Sequence, residues 1–359
     1  MKTLPFKRCA VSTIAGRVAA IAAITTTAGS LFSAGVNAAD VEPYSVVSRL
    51  PLGGDGGWDY LTADAANHLL YLSRADHVAV IDTASGKAVG EIGDTPGVHG
   101  IALAPELGRG FISAGKANQV KVFDLNSRKV LASIDVGSKP DAILYEPLSQ
   151  RVFSFNGHSS DASVIDAKTN TVIATIALGG APEFARTDGQ GRIYVNLEDK
   201  NQLVSLDAKN AKLLSRWPLP SCDGPTGLAL DAEHRRSFSV CANAVMTILD
   251  VDSGKLVTSL PIGKGVDGAD FDAKSQMVFS ANGEGTLTIV HETDPDHFQT
   301  VQTLTTQAGA RTVVIDSASH RIYLPTASFG PVQPSLLDAH PKAPILPGTF
   351  VVLAVAPQS

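Results

Sequence analysis

Seven polar residues return at a near-constant interval along this chain: Asp59, His99, Asp141, Glu183, Thr226, Asp267 and Arg311. The steps between them are 40, 42, 42, 43, 41 and 44 residues. Gathered in one place, they would make an unusual chemical set. Four neighbouring carboxylates raise one another's pKa unless a cation offsets them, and Arg311 is the set's one fixed positive charge. Asp59, His99 and Asp141 offer the mixed oxygen and nitrogen donors that hold a divalent metal. In a metal-assisted reaction Glu183 or Asp267 would then act as base, and Arg311 would bind an anionic group.

The elements that would gather them are legible in the flanking residues. Each polar residue follows a Gly or Pro turn and opens an apolar or small-residue run, as in Gly97-Val98-His99-Gly100-Ile101 and Lys139-Pro140-Asp141-Ala142-Ile143. A repeat of this length, rich in short strands, is the mark of a β-propeller blade. The chain therefore reads as all-β, a seven-bladed propeller of four-stranded blades. The first blade is expected at Tyr60–Ala63, Leu69–Ser73, His77–Asp82 and Ala88–Ile92. The segment Tyr44–Leu52 resembles the last strand of a blade but precedes any complete one. Because a closed ring must hide its sheet edges, this strand is expected to pair with the final blade and lock the circle.

Asp-initiated turns separate the strands, for example Asp82-Thr83-Ala84-Ser85-Gly86-Lys87 and Asp166-Ala167-Lys168-Thr169-Asn170-Thr171. Their aspartates are read as turn formers rather than as a metal ladder. Asp250-Val251-Asp252-Ser253-Gly254 lacks the spaced ligands and terminal Glu of a calcium loop. Two stretches break the repeat. Glu292–Phe298 enlarges a turn in the sixth blade, and Ala327–Thr349 is a Pro-rich insertion between the second and third strands of the seventh. The insertion is expected to cover the mouth of the ring, since it leaves from a loop on that side.

In this geometry the seven polar residues and the loops between second and third strands meet at one mouth, the top face. Those loops add Arg74 and Glu284, while Trp58 and Phe184 flank the ring. His77, His99 and His158 belong to the top of the first three blades and join Asp59 and Asp141 as candidate metal donors. Nucleophilic catalysis has little support: no Gly-x-Ser-x-Gly elbow occurs, and Gly53-Gly54-Asp55-Gly56-Gly57 lacks the helix that a phosphate loop needs.

With 359 residues, 44% hydrophobic and 18% charged, the chain has globular composition, and its net charge of −6 argues against a general nucleic-acid binder. Residues 1–38 read as a Sec-type signal peptide. Lys2, Lys7, Arg8 and Arg17 are basic, Val18–Phe32 is apolar or small, and Val36-Asn37-Ala38 sets the cut after Ala38. The mature protein, residues 39–359, is then expected in the periplasm or outside the cell, as a monomeric propeller without a transmembrane segment. Cleavage removes Cys9 and leaves Cys222 and Cys241. Two thiols in an oxidising compartment read as a disulfide, and the hairpin between them would place both at the top of the fifth blade.

The pattern Val-Ile-Asp, six residues, then a β-branched residue stands at Val80–Val89 and again at Val164–Ile173. It resembles the YVTN-repeat, or YncE-like, propellers of exported bacterial proteins, over essentially the whole mature chain. The tetrapeptide itself is absent, and Tyr194-Val195-Asn196-Leu197 is its nearest match. The resemblance implies seven blades. It also implies single-stranded nucleic acid as one partner class, with Trp58 and Phe184 available to stack bases, or an envelope partner. The residues themselves favour a ligand or partner held at the top mouth without chemistry. A metal-assisted lyase or hydrolase of a small polar substrate is the alternative.

Overall fold

The computed structural model describes residues 42–332 and 343–358. The expected signal segment and its cleavage site lie outside them, as do Pro334 and Pro341 of the insertion. The described residues form seven four-stranded antiparallel sheets. Blade 1 consists of Leu61–Asp64, Leu69–Arg74, His77–Asp82 and Lys87–Ile92, within one residue of the expected limits. The inner strands of blades 2 to 7 are Val98–Ala104, Pro140–Glu146, Pro182–Thr187, Pro225–Asp231, Val266–Asp272 and Val314–Asp316.

Strand position within a blade explains residue choice. The middle strands pack against neighbouring blades on both faces, so they are nearly continuous apolar runs: Arg151–Asn156 and Gln202–Asp207 are buried at four or more positions each. Outer strands expose most of their residues, as Thr171–Ala177 does. Aromatic and aliphatic side chains fill the gaps between blades. Phe153, Phe155 and Val164 of blade 3, for example, share one cluster with Ile193, Val195 and Val204 of blade 4.

The turn aspartates are structural, as the sequence indicates. In five blades the carboxylate opening the last hairpin accepts the N–H three residues on, at Ser85, Ser127, Thr169, Asn210 and Ser253, over 2.6–2.8 Å.

The ring closes as expected. Tyr44–Pro51 is the outermost strand of blade 7 and pairs antiparallel with Val351–Pro357, its third strand. Among the described residues no helix is long and apolar enough to cross a membrane.

Cys222 and Cys241 are bonded, with Cα atoms 5.5 Å apart. Cys241 ends the second strand of blade 5 and lies opposite Pro225 at the start of the first, so the hairpin register brings Cys222 within reach. Closing this loop stabilises the fold by roughly 3 kcal/mol through the unfolded chain. The double replacement Cys222→Ser with Cys241→Ser should lower stability by that order in a denaturant titration, with an m-value equal to or slightly above the wild type's because the unfolded chain is less constrained. Reducing agent should have no effect on the variant.

Candidate functional site

The geometry of the mouth begins with an irregularity. In blades 2 to 6 the pairing of first and second strands slips at the recurring polar residue, for instance between Val98 and Ile101 and between Pro140 and Ile143. A β-bulge re-aims its side chain and frees backbone groups from the ladder. Second-strand hydroxyls take up freed amides: Asp59 N–H donates to Ser73 Oγ (2.9 Å) and Gly100 N–H to Ser113 Oγ (2.8 Å). Asn196 Nδ2 bridges to the carbonyls of Thr226 (3.0 Å) and Gly227 (3.1 Å) in the next blade. The residue after the bulge is often glycine because adjacent inner strands touch there. A Cβ on Gly227 would lie 2.7 Å from the Ala269 nitrogen.

The bulges gather most of the expected ring. His99 Nδ1 lies 2.6 Å from Asp59 Oδ2 and 3.5 Å from Asp141 Oδ1. Donor atoms of these three residues all lie within 4.8 Å of one another. Arg311 Nε donates to Asp267 Oδ2 (2.7 Å), and its Nη2 is 3.9 Å from Asp59 Oδ1. Thr226 is different. It is buried, and its hydroxyl donates to the Val240 carbonyl (3.2 Å), so it fastens strands rather than facing the mouth.

Next to the ring residues in sequence stand two aromatics. Tyr60 and Phe184 meet edge to face, with centroids 4.9 Å apart. Beneath them the Arg186 guanidinium lies 4.8 Å from the Phe184 centroid and donates to the Ala269 carbonyl and Asp270 Oδ1 of blade 6, both at 3.0 Å. A separate cavity of about 280 Å³, lined by deeper inner-strand residues such as Thr62, Leu103 and Leu144, lies beyond this pair. Above it the mouth is a cavity of about 510 Å³, walled by Trp58, Asp59, His99, Lys116, Lys139 and Arg311.

The described ends of the insertion flank this mouth. Phe329 and Ala343–Ile345 line an adjoining cavity of about 780 Å³ that shares Trp58 and Arg311 with it. These ends are not free loop, however. Ala327, Phe329 and Ile345 pack with Trp58 and Phe350 in one hydrophobic cluster. Removing all of Ala327–Thr349 would therefore damage the core as well as uncover the mouth.

Several expected site residues serve the fold instead. The Arg74 guanidinium lies 3.8 Å from the Phe350 ring centroid and donates to the Asp55 carbonyl (2.8 Å), pinning the glycine-rich loop. Glu284 is exposed and accepts from Thr286 Oγ1 (3.1 Å) in its own turn. Trp58 is buried and packs with Phe329 and Phe350, and Phe184 packs against Tyr60 and Arg186, so both rings are engaged in contacts of the fold. His77 pairs with Asp76 (3.0 Å), and His158 is exposed on its turn, so the compact donor group at the mouth, among the described residues, is Asp59, His99 and Asp141.

The electrostatics follow from crowding and burial. Burial pushes the Glu183 carboxyl up to about 9, with Asp141 and Asp267 adding to the shift. Burial raises Asp141 to about 6 despite the opposing pull of His99, and raises Asp267 to about 6 with Asp59 adding and Arg311 opposing. Burial disfavours charge on His99, but the Asp59 hydrogen bond and the Asp141 charge outweigh it and raise its pKa. Tyr60 is held well above the ordinary phenol value by burial and by four surrounding carboxylates.

All these groups hold protons more tightly folded than unfolded, so the mouth costs stability as pH rises. For Glu183 the penalty begins near its unfolded value and is complete near pH 9, with a slope of at most ~1.4 kcal/mol per pH unit from this one group. Glu183→Gln should therefore flatten the stability profile between pH 5 and 9 and exceed the wild type above neutrality. Denaturant titrations at several pH values check this; parallel profiles would remove Glu183 from the buried set.

No protein-family model matches the chain, and no curated protein sequence does. Solved structures do. Kuenenia stuttgartiensis hydrazine synthase superposes with a TM-score of 0.65 at 16% identity, over 77% of this chain and 92% of the other. The structure of U3-55K gives a TM-score of 0.70 at 9% identity, over 85% and 97%. At such identities the likeness is one of fold. This chain is thus a seven-bladed β-propeller, a fold that serves many unrelated functions, so its role must be argued from the mouth.

Proposed function

We propose that this is an exported propeller that binds a small polar ligand at its top mouth, without chemistry of its own. The observation that carries the reading is the composition of the ring. Asp59, Asp141, Glu183 and Asp267 are crowded with one histidine and one arginine, and Asp59, His99 and Arg311 wall the mouth cavity. A merely wet channel has no use for differing residues crowded until their pKa values rise. Such a ring favours a ligand with a positive centre, which relieves the acids, and an anionic group within reach of Arg311, Lys116 or Lys139. The disulfide supports export, since such bonds persist in oxidising compartments. Mass spectrometry of small molecules released on denaturing the purified protein tests the proposal. A stoichiometric compound in the wild type, absent from Arg311→Ala, is expected; identical release from both would oppose it.

A second reading is favoured by the Asp59–His99–Asp141 group, whose donors are compact enough for one divalent cation. A metal there would supply Lewis acidity for lyase or hydrolase chemistry on a small polar substrate. In that case Glu183, with its carboxyl at about 9, would be protonated at neutral pH and suited to giving a proton rather than taking one. Metal analysis separates the readings: stoichiometric metal lost on His99→Ala supports the second.

A further inference from the structure

The opposite face of the propeller carries a second cluster that the mouth does not explain. Asp231 ends the inner strand of blade 5, His234 lies in the turn that follows, and Glu292 belongs to the third strand of blade 6. His234 Nδ1 is 2.7 Å from Asp231 Oδ2 and 3.2 Å from Glu292 Oε1. Donor atoms of all three lie within 4.8 Å of one another.

The repeat shows what is odd here. In blades 1 to 5 the residue at the position of Glu292 is Thr83, Leu125, Ala167, Ala208 or Val251. Each makes the same backbone hydrogen bond, its N–H to a carbonyl at the turn between first and second strands, and Glu292 makes it too, to Gln276. The slot belongs to the blade and accepts an uncharged side chain. In blade 6 it holds a carboxylate that is 2% exposed. His234 Nδ1 lies nearer Asp231 than Glu292 (3.2 Å), and neither Glu292 oxygen has a hydrogen bond among the described residues. A buried carboxylate that shares a single imidazole with a second acid costs several kcal/mol unless a proton or a cation neutralises it. The adjacent arginine does not: Arg236 is spent on Asp250 Oδ2 (2.7 Å) and the Pro295 carbonyl (2.6 Å).

We infer that Asp231, His234 and Glu292 form a binding site for a divalent transition-metal ion of the Zn²⁺ class, which clamps blade 5 to blade 6. Two carboxylates and an imidazole match the donor set such ions prefer, and the third-exposed His234 side chain leaves a route from solvent. The imidazole proton would leave on binding, and the ion would replace it between the two acids. The role is structural, since the Asp231 and Glu292 side chains are buried and only His234 reaches solvent.

Calorimetric titration of the chelator-treated full chain with Zn²⁺ tests this. Glu292→Ala installs the residue that blades 3 and 4 carry, so it should fold and be at least as stable as the wild type without metal. It should bind Zn²⁺ at this site at least ten-fold more weakly, and its melting temperature should rise less with Zn²⁺ than that of the wild type. His99→Ala, at the mouth, should retain the site. Should Glu292→Ala not fold, Glu292→Gln carries the same expectation. Unchanged binding in the Glu292 variant, or loss of the same site in His297→Ala, would overturn the assignment.

Discussion

Deleting Tyr44–Leu52 should convert a monodisperse protein into an aggregating one. This strand supplies the outer edge of blade 7 through seven register pairs, from Tyr44 opposite Pro357 to Pro51 opposite Val351. It also fastens blade 6: Gln302 accepts from Tyr44 N–H (2.8 Å) and donates to its carbonyl (2.9 Å), and the Tyr44 ring meets Phe279 at 5.3 Å. Leu50 and Leu52 pack on the Trp58 cluster. Burying three such side chains contributes on the order of 5 kcal/mol, comparable with the whole stability of many domains. What remains exposed is worse than what is lost. Val351-Val352-Leu353-Ala354-Val355 would become an uncharged, apolar edge strand, the type that pairs with other chains. Size-exclusion chromatography and thermal melting decide it. A truncated protein that stays monomeric and melts with the wild type would show that the ring does not need its lock.

That strand was legible in the sequence because it repeats the blade pattern out of place. The ring residues were legible for the same reason, since a 40-to-44-residue period puts equivalent positions at one height whatever their chemistry. The period says nothing about distances between blades. It could not show that Tyr60 reaches Phe184 across the channel, or that Arg186 of blade 4 bonds to blade 6. It also misassigned Arg74. A charged residue beside a mouth loop reads as ligand-facing, yet its guanidinium is consumed by Asp55 and Phe350. A signal for Tyr60 was present in the residue after each bulge: Gly100, Ala142, Gly227 and Gly268 are small where strands touch, so the large residues at 60 and 184 had to point elsewhere.

Arg311→Ala should reduce ligand affinity at least ten-fold, about 1.4 kcal/mol. The side chain holds Asp267 at 2.7 Å, donates to the Trp58 carbonyl at 3.3 Å and lies 5.8 Å from the Trp58 ring centroid. Both described mouth cavities are lined by it. Its loss removes an anion anchor and leaves Asp267 facing Asp59 without compensation, a change that Arg311→Lys should partly restore. Lys87 opens an outer strand and Lys255 immediately precedes one, on hairpins remote from the ring, so their alanine variants should bind as the wild type does.

A thermal-shift screen of small polar acids, amines and zwitterions against wild type, Arg311→Ala, Lys87→Ala and Lys255→Ala tests the mouth most directly. The expected result is at least one compound that stabilises the wild type and both lysine variants but not Arg311→Ala. Compounds that stabilise all four proteins equally would contradict binding at the ring and leave it a solvated channel.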